Sequence, residues 1–285
     1  MIINFIGAGN LGKTLGYLFA KSGKYQIGAI CNRSIRSAKA ASRFIGAGGY
    51  VSTLSDLPAA DVTLITTPDA LITEISINLV SSSNLKYEST IIHCSGALSS
   101  DALIAVKKKN CYIASVHPMR SFADPKTCID QYAGTYCALE GDAEIIHLAT
   151  KLFQDIGSIT YEICKTKKVS YHTAGVFASN YLVTLAQQAL NCLENAGVEK
   201  TMAMNVITSI MKGTVLNLES TLSPQASLTG PIKRGDLAII EKHLNHLDPP
   251  QQKLYATLGM ATLPIVCLDK KINKKLSQIF KIDDN

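Results

Sequence analysis

The sequence predicts an α/β fold, with a doubly wound and mostly parallel sheet at the N-terminus and an all-α part after it. Three observations carry this expectation. Short apolar runs alternate with helix-period segments through the first half of the chain. A glycine-rich turn, Gly7-Ala8-Gly9-Asn10-Leu11-Gly12, joins the first run to the first helical segment, and the strand pattern disappears after about residue 165. Alternation of this kind implies parallel strands covered by helices.

Ile2-Ile3-Asn4-Phe5-Ile6 reads as the first strand, and Leu11, Leu15, Leu18 and Phe19 then recur at helical spacing. A second strand over 25–31 precedes "NRSIRSAKAASRF", whose Ala and Arg content favours helix. Residues 62–66 form a third strand, followed by Thr67-Pro68-Asp69, where Asp69 is the expected N-cap of a helix from Ala70. "STIIHCSGALSSDALIAVKKK" repeats the pattern: a strand to Cys94, a Ser-Gly turn, and a helix with a lysine-rich end. "CYIASV" and "GTYCALEG" add two more strands. Helices are expected near 168–196, 199–219, 234–247, 250–264 and 271–280, with Gly197 closing the first. The expected domains are 1–160 and 161–285, with a soft boundary because no linker marks it.

With 285 residues, 47% hydrophobic and 18% charged, the chain can bury a substantial core, and disorder is excluded. The net charge of +6 is scattered, and no basic segment interleaves with aromatics, which argues against nucleic acid and for an acidic small molecule or a nucleotide. Eight cysteines never approach C-x-x-C spacing, and the N-terminus reads as a strand without a signal-peptide pattern, so a cytoplasmic setting is expected. Residues 169–193 hold no Asp, Glu, Lys or Arg. That run is long enough for a membrane span of about 20 residues. It nevertheless contains His172, Asn180, Gln187, Gln188 and Asn191, which are costly in lipid. The expectation is no membrane contact but a helix, mostly core, with one polar side facing a cleft.

The glycine turn follows a strand and opens a helix, the context in which G-x-G-x-x-G binds a dinucleotide. Gly7 would make the tight turn, Gly9 would admit the pyrophosphate, and Gly12 would let helix and strand pack, with the backbone at Asn10 and Leu11 facing the phosphates. About 20 residues on, where an NAD site carries a carboxylate, stand Asn32, Arg33 and Ser34. All three can donate to a 2′-phosphate, so NADP(H) is expected over NAD(H). Arg33 at a solvated helix start is the alternative, and Lys13 and Arg36 either reinforce the site or are surface charge. Thr67, Pro68 and Ser95 lie at strand ends where ribose and nicotinamide would sit, although ordinary turn chemistry explains them equally.

At about 100° per residue, Val176 and Ser179 fall within about 40° of His172, and Asn180 about 80° from it. One helix side thus offers an imidazole, a hydroxyl and a carboxamide. His172 is the expected acid/base and Asn180 the orienting group, against the alternative of a histidine bonded inside a bundle. "SVHPMRSF" puts His117 and Arg120 near the same sheet edge, and "SLTGPIKRGD" offers Arg234 for a substrate carboxylate. Asp236 would equally cap a helix and pair with Arg234. His243 and His246 lack a convincing third ligand, so no metal is expected.

Together "FIGAGNLG", "NRS", "HPMRSF", "YHTAGVFASNYL" and "LTGPIKRGD" resemble the Rossmann-like proteins that carry the C-terminal domain of unknown function 2520. The resemblance spans nearly the whole chain. It implies a doubly wound Rossmann sheet followed by an α-helical domain of 6-phosphogluconate dehydrogenase type, assembled as a homodimer. It also places the chain near pyrroline-5-carboxylate reductases, β-hydroxyacid dehydrogenases and ketopantoate-reductase-like enzymes, all nicotinamide users, while related Rossmann domains hold flavin or deazaflavin. There are departures. β-Hydroxyacid dehydrogenases use a helix lysine four residues before an asparagine, but Val176 stands four before Asn180, so His172 would have to take over. His117-Pro118-Met119 is similar to a triplet of prephenate dehydrogenases, and the late loop of pyrroline-5-carboxylate reductases is not found.

The resulting expectation is an NADP(H)-dependent oxidoreductase acting on a small, carboxylated carbonyl or imine compound, with Ser179, His117 and Arg234 as substrate contacts. The alternative is a nucleotide-binding sensor without chemistry, in which His172 would be buried and fully bonded.

Overall fold

In the computed structural model, which describes residues 1–81 and 84–281, the apolar runs of the first half become strands of one sheet. They are β1 (Ile2–Ile6), β2 (Gln26–Cys31), β3 (Gly49–Val51), β4 (Val62–Ile65), β5 (Thr90–His93), β6 (Tyr112–Pro118), β7 (Tyr136–Gly141) and β8 (Ile159–Glu162). The order is β3-β2-β1-β4-β5-β6-β7-β8. All neighbours pair parallel except β6 and β7. The chain runs outward from β1 on one side and resumes with β4 on the other, which creates the switch point where such sheets bind ligands.

Strand alternation sends successive side chains to opposite layers. Val62 and Leu64 join Leu15, Phe19 and Phe153 on one face. Ile65 joins Ile72, Leu79 and Leu103 on the other. The helices over this sheet are α1 (Asn10–Lys21), α2 (Ile35–Ile45), α3 (Ile72–Val80), α4 (Pro125–Asp130) and α5 (Ala143–Gln154). Phe153 of α5 is fully buried and meets Phe19 of α1 edge-on, with ring centroids 5.9 Å apart.

Helix α6 (Lys168–Gly175) leads into a π turn at Val176–Asn180 and then α7 (Tyr181–Asn195). The chain divides into two compact units, Met1–Asn180 and Tyr181–Asn285. The first extends past the expected boundary near 160 because β8 lies across that point and Lys168 is anchored in the sheet. The reversal at β7 explains the course of α6. Ile159 pairs with Tyr136 near the carboxyl end of β6, and β8 then runs back toward mid-sheet. From there α6 climbs from Lys168, beside Ser115, to Tyr171, beside His117.

The second unit continues with α8 (Lys200–Thr221), α9 (Pro224–Ser227), α10 (Pro231–Arg234), α11 (Leu237–His246), α12 (Pro249–Thr262) and α13 (Lys270–Ile279). Leu190 of α7 packs with Ala203 and Ile207 of α8. Ile240, Ala256, Leu276 and Phe280 form a second small core. Gly197 has φ +81° after α7, and the Val198 N–H donates to the Leu193 carbonyl at 3.0 Å, as a Schellman cap requires. No helix among the described residues is long and apolar enough to cross a membrane.

Four expectations change. Asp69 does not cap a helix. Pro68 precedes a 3₁₀ turn over Asp69–Leu71, and the Asp69 carboxylate instead accepts from the Ser95 hydroxyl at 2.7 Å. Ser100–Lys109 is 3₁₀ rather than α-helix, and its first N–H and hydroxyl are held by Glu140, each at 2.7 Å. β3 and β8 escaped notice because edge strands this exposed carry no apolar run. The neutral run 169–193 is helical but not mostly core: only Leu190 is buried, while Val169, Phe177 and Val183 are each more than 60% exposed.

Phe153→Ala should lower the unfolding free energy by about 3–5 kcal/mol, read from urea denaturation, because it opens a cavity against Phe19. A loss below about 1 kcal/mol would mean that the layer repacks freely.

Candidate active site

Two concave regions lie at the carboxyl ends of the strands in the first unit. The first is built on the glycine turn. Gly7 has φ +86°, and a Cβ there would strike the Thr67 side chain and lie 2.9 Å from the Thr67 nitrogen. A Cβ on Gly12 would strike Thr66 and approach the Gly7 carbonyl at 3.2 Å, so helix and strand pack through it. Around Gly9, by contrast, nothing lies within 4 Å of a Cβ position, and that space is open to a ligand. Gly9 precedes α1 without a side-chain cap, so the first N–H groups of a 12-residue helix face outward.

The Asn32 side-chain oxygen accepts from the Ala8 N–H at 2.7 Å and fixes the turn, and its NH2 has no partner among the described residues. Arg33 is exposed and borders a cleft of about 310 Å³ together with Asn32, Thr67 and Glu74. The Thr67 hydroxyl is buried without a partner, an orphaned group at the wall of that cleft. An uncapped helix start, an open Gly9 and an orphaned hydroxyl together fit a dinucleotide phosphate and ribose.

Other expected cofactor residues act differently. The Asn10 amide donates to the carbonyls of Phe122 and Ala123 at 3.0 and 2.9 Å, so its side chain ties down a loop. Leu11 packs against the core and contributes only backbone. Ser34 caps α2 by accepting from the Ser37 N–H at 3.3 Å. The Pro68 carbonyl accepts from the Leu71 N–H at 3.0 Å. Ser95 is buried with every polar atom bonded to protein. Its hydroxyl donates to Asp69 and accepts from the Leu98 N–H at 3.0 Å, its N–H donates to His93 Nδ1 at 3.1 Å, and its carbonyl accepts from Lys168 Nζ at 2.9 Å.

The second region is a pocket of about 520 Å³ that brings together His117, Arg120, His172, Ser179 and Asn180. The regular helix expected here is interrupted. A π turn takes one extra residue without advancing the face, so by roughly 100° per residue Asn180 comes within about 20° of His172 instead of about 80°. The two imidazole centroids are 6.1 Å apart. Gly96 fits between them: a Cβ there would be 2.6 Å from His172 and 2.8 Å from His117 Nε2. The Arg120 fork is committed to the Gln131 carbonyl and side-chain oxygen at 2.7 and 2.6 Å. Arg234 lies in the second unit, on α10, and Asp236 caps α11 by accepting from the Ile239 N–H at 3.4 Å. His243 Nδ1 is 2.9 Å from the Tyr255 hydroxyl. Among the described residues no group of three His, Cys, Asp or Glu is placed to hold a metal.

Lys168 was not singled out in the sequence, where it is one of three lysines among the four residues 165–168 at a helix start. It is 2% exposed. Its ammonium donates to the Ser95 carbonyl and the Ser115 hydroxyl and lies 3.8 Å from Glu140. Burial lowers it to about 8, against the opposing pull of Glu140. His93 and His117 are both held down to about 4, chiefly by burial, with the charge of Lys168 adding to it. His172, by contrast, is exposed and has no hydrogen bond among the described residues.

Residues 1–118 match the family model for a Rossmann-like domain, and residues 135–262 match the domain of unknown function 2520. Among solved structures, a Bacteroides fragilis protein provisionally named an NADP oxidoreductase is 22% identical, covering 90% of this chain and 95% of its own, with a TM-score of 0.74. Protein TM1727 of Thermotoga maritima is 28% identical over 98% of each chain, with a TM-score of 0.68. Pyrroline-5-carboxylate reductase of Streptococcus pyogenes is 15% identical over 99% of each, with a TM-score of 0.61. No curated protein matches the sequence.

His93 and His117 are neutral in the folded protein and titrate near 6.5 once unfolded, so protons bind preferentially to the unfolded chain between pH 6.5 and 4. Stability should therefore be fully present above pH 6.5 and fall through that window, by about 3 kcal/mol from His93 alone. Urea midpoints measured across pH 4–7 check this, and a flat profile would contradict it.

Proposed function

The chain pairs a Rossmann-like domain with the domain of unknown function 2520, and from that premise we propose an NADP(H)-dependent oxidoreductase acting on a small, carboxylated carbonyl or imine compound. The observation that carries this reading is one unit holding both a dinucleotide-type groove and, at the same sheet edge, a pocket with two histidines and an amide. When bound, the nicotinamide supplies or accepts hydride. The protein's part is to orient the partners and move a proton. Asn180 orients, Ser179 contacts substrate, and of the pair His172 and His117 one moves the proton while the other contacts substrate. Arg33 and the amide of Asn32 hold the 2′-phosphate. Arg234 takes the substrate carboxylate in its planar fork. The fold of the B. fragilis and S. pyogenes proteins, whose names refer to NADP and pyrroline-5-carboxylate chemistry, supports a nicotinamide-dependent reductase. The sensor alternative expects a buried, fully bonded His172, and an exposed one speaks against it.

The exposed apolar faces of α7 and α8 support a homodimer. Val183 of α7 and Ile210 and Leu216 of α8 are 71%, 69% and 52% exposed, and exposed apolar side chains gathered on helix faces mark a surface for a partner.

NADPH should bind at least about tenfold more tightly than NADH, a difference of about 1.4 kcal/mol, and Arg33→Asp should erase that margin. Fluorescence titration of both nucleotides on both proteins tests this, followed by a screen of small keto and imino acids with NADPH. If neither nucleotide binds below about millimolar, the reading fails. Sedimentation should give twice the chain mass for the wild type and a shift toward the single chain for Ile210→Glu. An unchanged mass in the variant would remove α8 from the interface.

A further inference from the structure

His117 presents its two ring nitrogens to different surroundings. Nδ1 is 2.8 Å from the Tyr171 hydroxyl oxygen, with the two rings edge-on. That hydroxyl also lies 3.4 Å from the His117 carbonyl oxygen, and the ring of Tyr161 stands edge-on to that of Tyr171, the centroids 6.4 Å apart. Tyr171 itself is only partly buried, so water reaches its side of the pair. On the other side of the imidazole, Nε2 has no partner among the described residues and stands beside Gly96 at the wall of the pocket. A hydrogen-bonded pair, Tyr171 and His117, therefore joins the partly exposed face of α6 to the pocket.

We propose that Tyr171 and His117 form a proton relay that serves the substrate atom left negative when reduced nicotinamide dinucleotide delivers hydride. The inference rests on the oxidoreductase reading above and adds the source of the proton. In the step, the His117 Nε2–H bond breaks and a new O–H or N–H bond forms on the substrate. Nδ1 takes the Tyr171 proton as this happens, and Tyr171 takes one from water. Hydride carries both electrons, and the imidazole ends neutral with its proton on Nδ1. Tyr171 then donates to the His117 carbonyl, so both tautomers have partners. The ring resets by the reverse shift, taking a proton at Nε2 from water entering the pocket.

The relay answers a chemical difficulty. Burial keeps His117 neutral at pH 7. A neutral imidazole that gave up Nε2–H alone would become an imidazolate, which is far too basic to form in a low-dielectric site. Filling Nδ1 in the same event avoids that species, and among the described residues only the Tyr171 hydroxyl is placed to do so. His172 has no such partner and serves as the substrate contact. This exchanges the roles that the sequence suggested for the two histidines.

The test uses full-length protein labelled with 15N at histidine. At pH 7 without nucleotide, His117 should show a protonated Nε2 and a hydrogen-bonded Nδ1. Tyr171→Phe should move the Nδ1 signal to the position of an unbonded ring nitrogen while His93 stays put. Unmoved His117 signals, or a wild-type ring already protonated at Nδ1, would overturn the relay. On the acid returned by the NADPH screen, Tyr171→Phe should cut kcat by at least about tenfold with KM and NADPH affinity retained. The curved dependence of rate on D2O fraction should become straight, a change that a structural role for Tyr171 would not cause. Unchanged rate and curvature would count against the proposal. Loss of NADPH binding in the wild type would overturn the reading on which the relay rests, whereas NADPH binding without the histidine shift would overturn the relay alone.

Discussion

The site depends on one buried ammonium. Taking Lys168 out of water costs several kcal/mol unless oxygen ligands replace the solvent. Those ligands come from three successive strands or their turns: the Ser95 carbonyl after β5, the Ser115 hydroxyl on β6 and the Glu140 carboxylate on β7. Glu140 in turn holds the start of the 3₁₀ segment at Ser100. The helix that walls the pocket is thus bolted to the sheet at its first residue. The turn bearing Gly96 is fastened from below by the same group. A lysine at the surface could do neither, because its flexible stem would not fix a carbonyl.

Burial sorts the two histidines of the pocket, and the same charge adds to it at His117. His117, inside and near Lys168, is kept neutral and bonded to a phenol. His172 stands outside with its ring unbonded. Paired titratable groups in unlike environments are how one site keeps a donor and a contact distinct at a single pH. Gly96 sets their spacing, since any side chain there would wedge the rings apart. The π turn swings Asn180 onto the His172 face, which a regular helix would not do.

Much of this was legible in the sequence where local rules decide the outcome. The glycine turn announced itself because Gly7, Gly9 and Gly12 each meet a different steric demand within six residues. The strands β1, β4 and β5 were plain because central strands are buried on both faces and read as apolar runs. His117, His172, Ser179 and Asn180 were singled out, and the structure brings all four to one pocket. What stayed hidden depends on partners distant in the chain. Lys168 looks like any basic residue at a helix start until Glu140 and Ser115 are seen beside it. Asp69 looked like a cap because Ser95, 26 residues away, was invisible as its alternative. Tyr171 was passed over for the same reason, its partner His117 lying 54 residues away.

The antiparallel pairing of β6 with β7 has a consequence for how the protein can be divided. The two family models part company between residues 118 and 135, at the seam between those strands. Inheritance therefore recognises two modules where hydrogen bonding recognises one sheet. A fragment ending at 118 would expose the edge of β6 with its ladder torn open, and a fragment starting at 135 would begin with the matching torn edge of β7. Bare edges of that kind recruit foreign strands. The recurring pieces of this chain are units of descent and not units of folding.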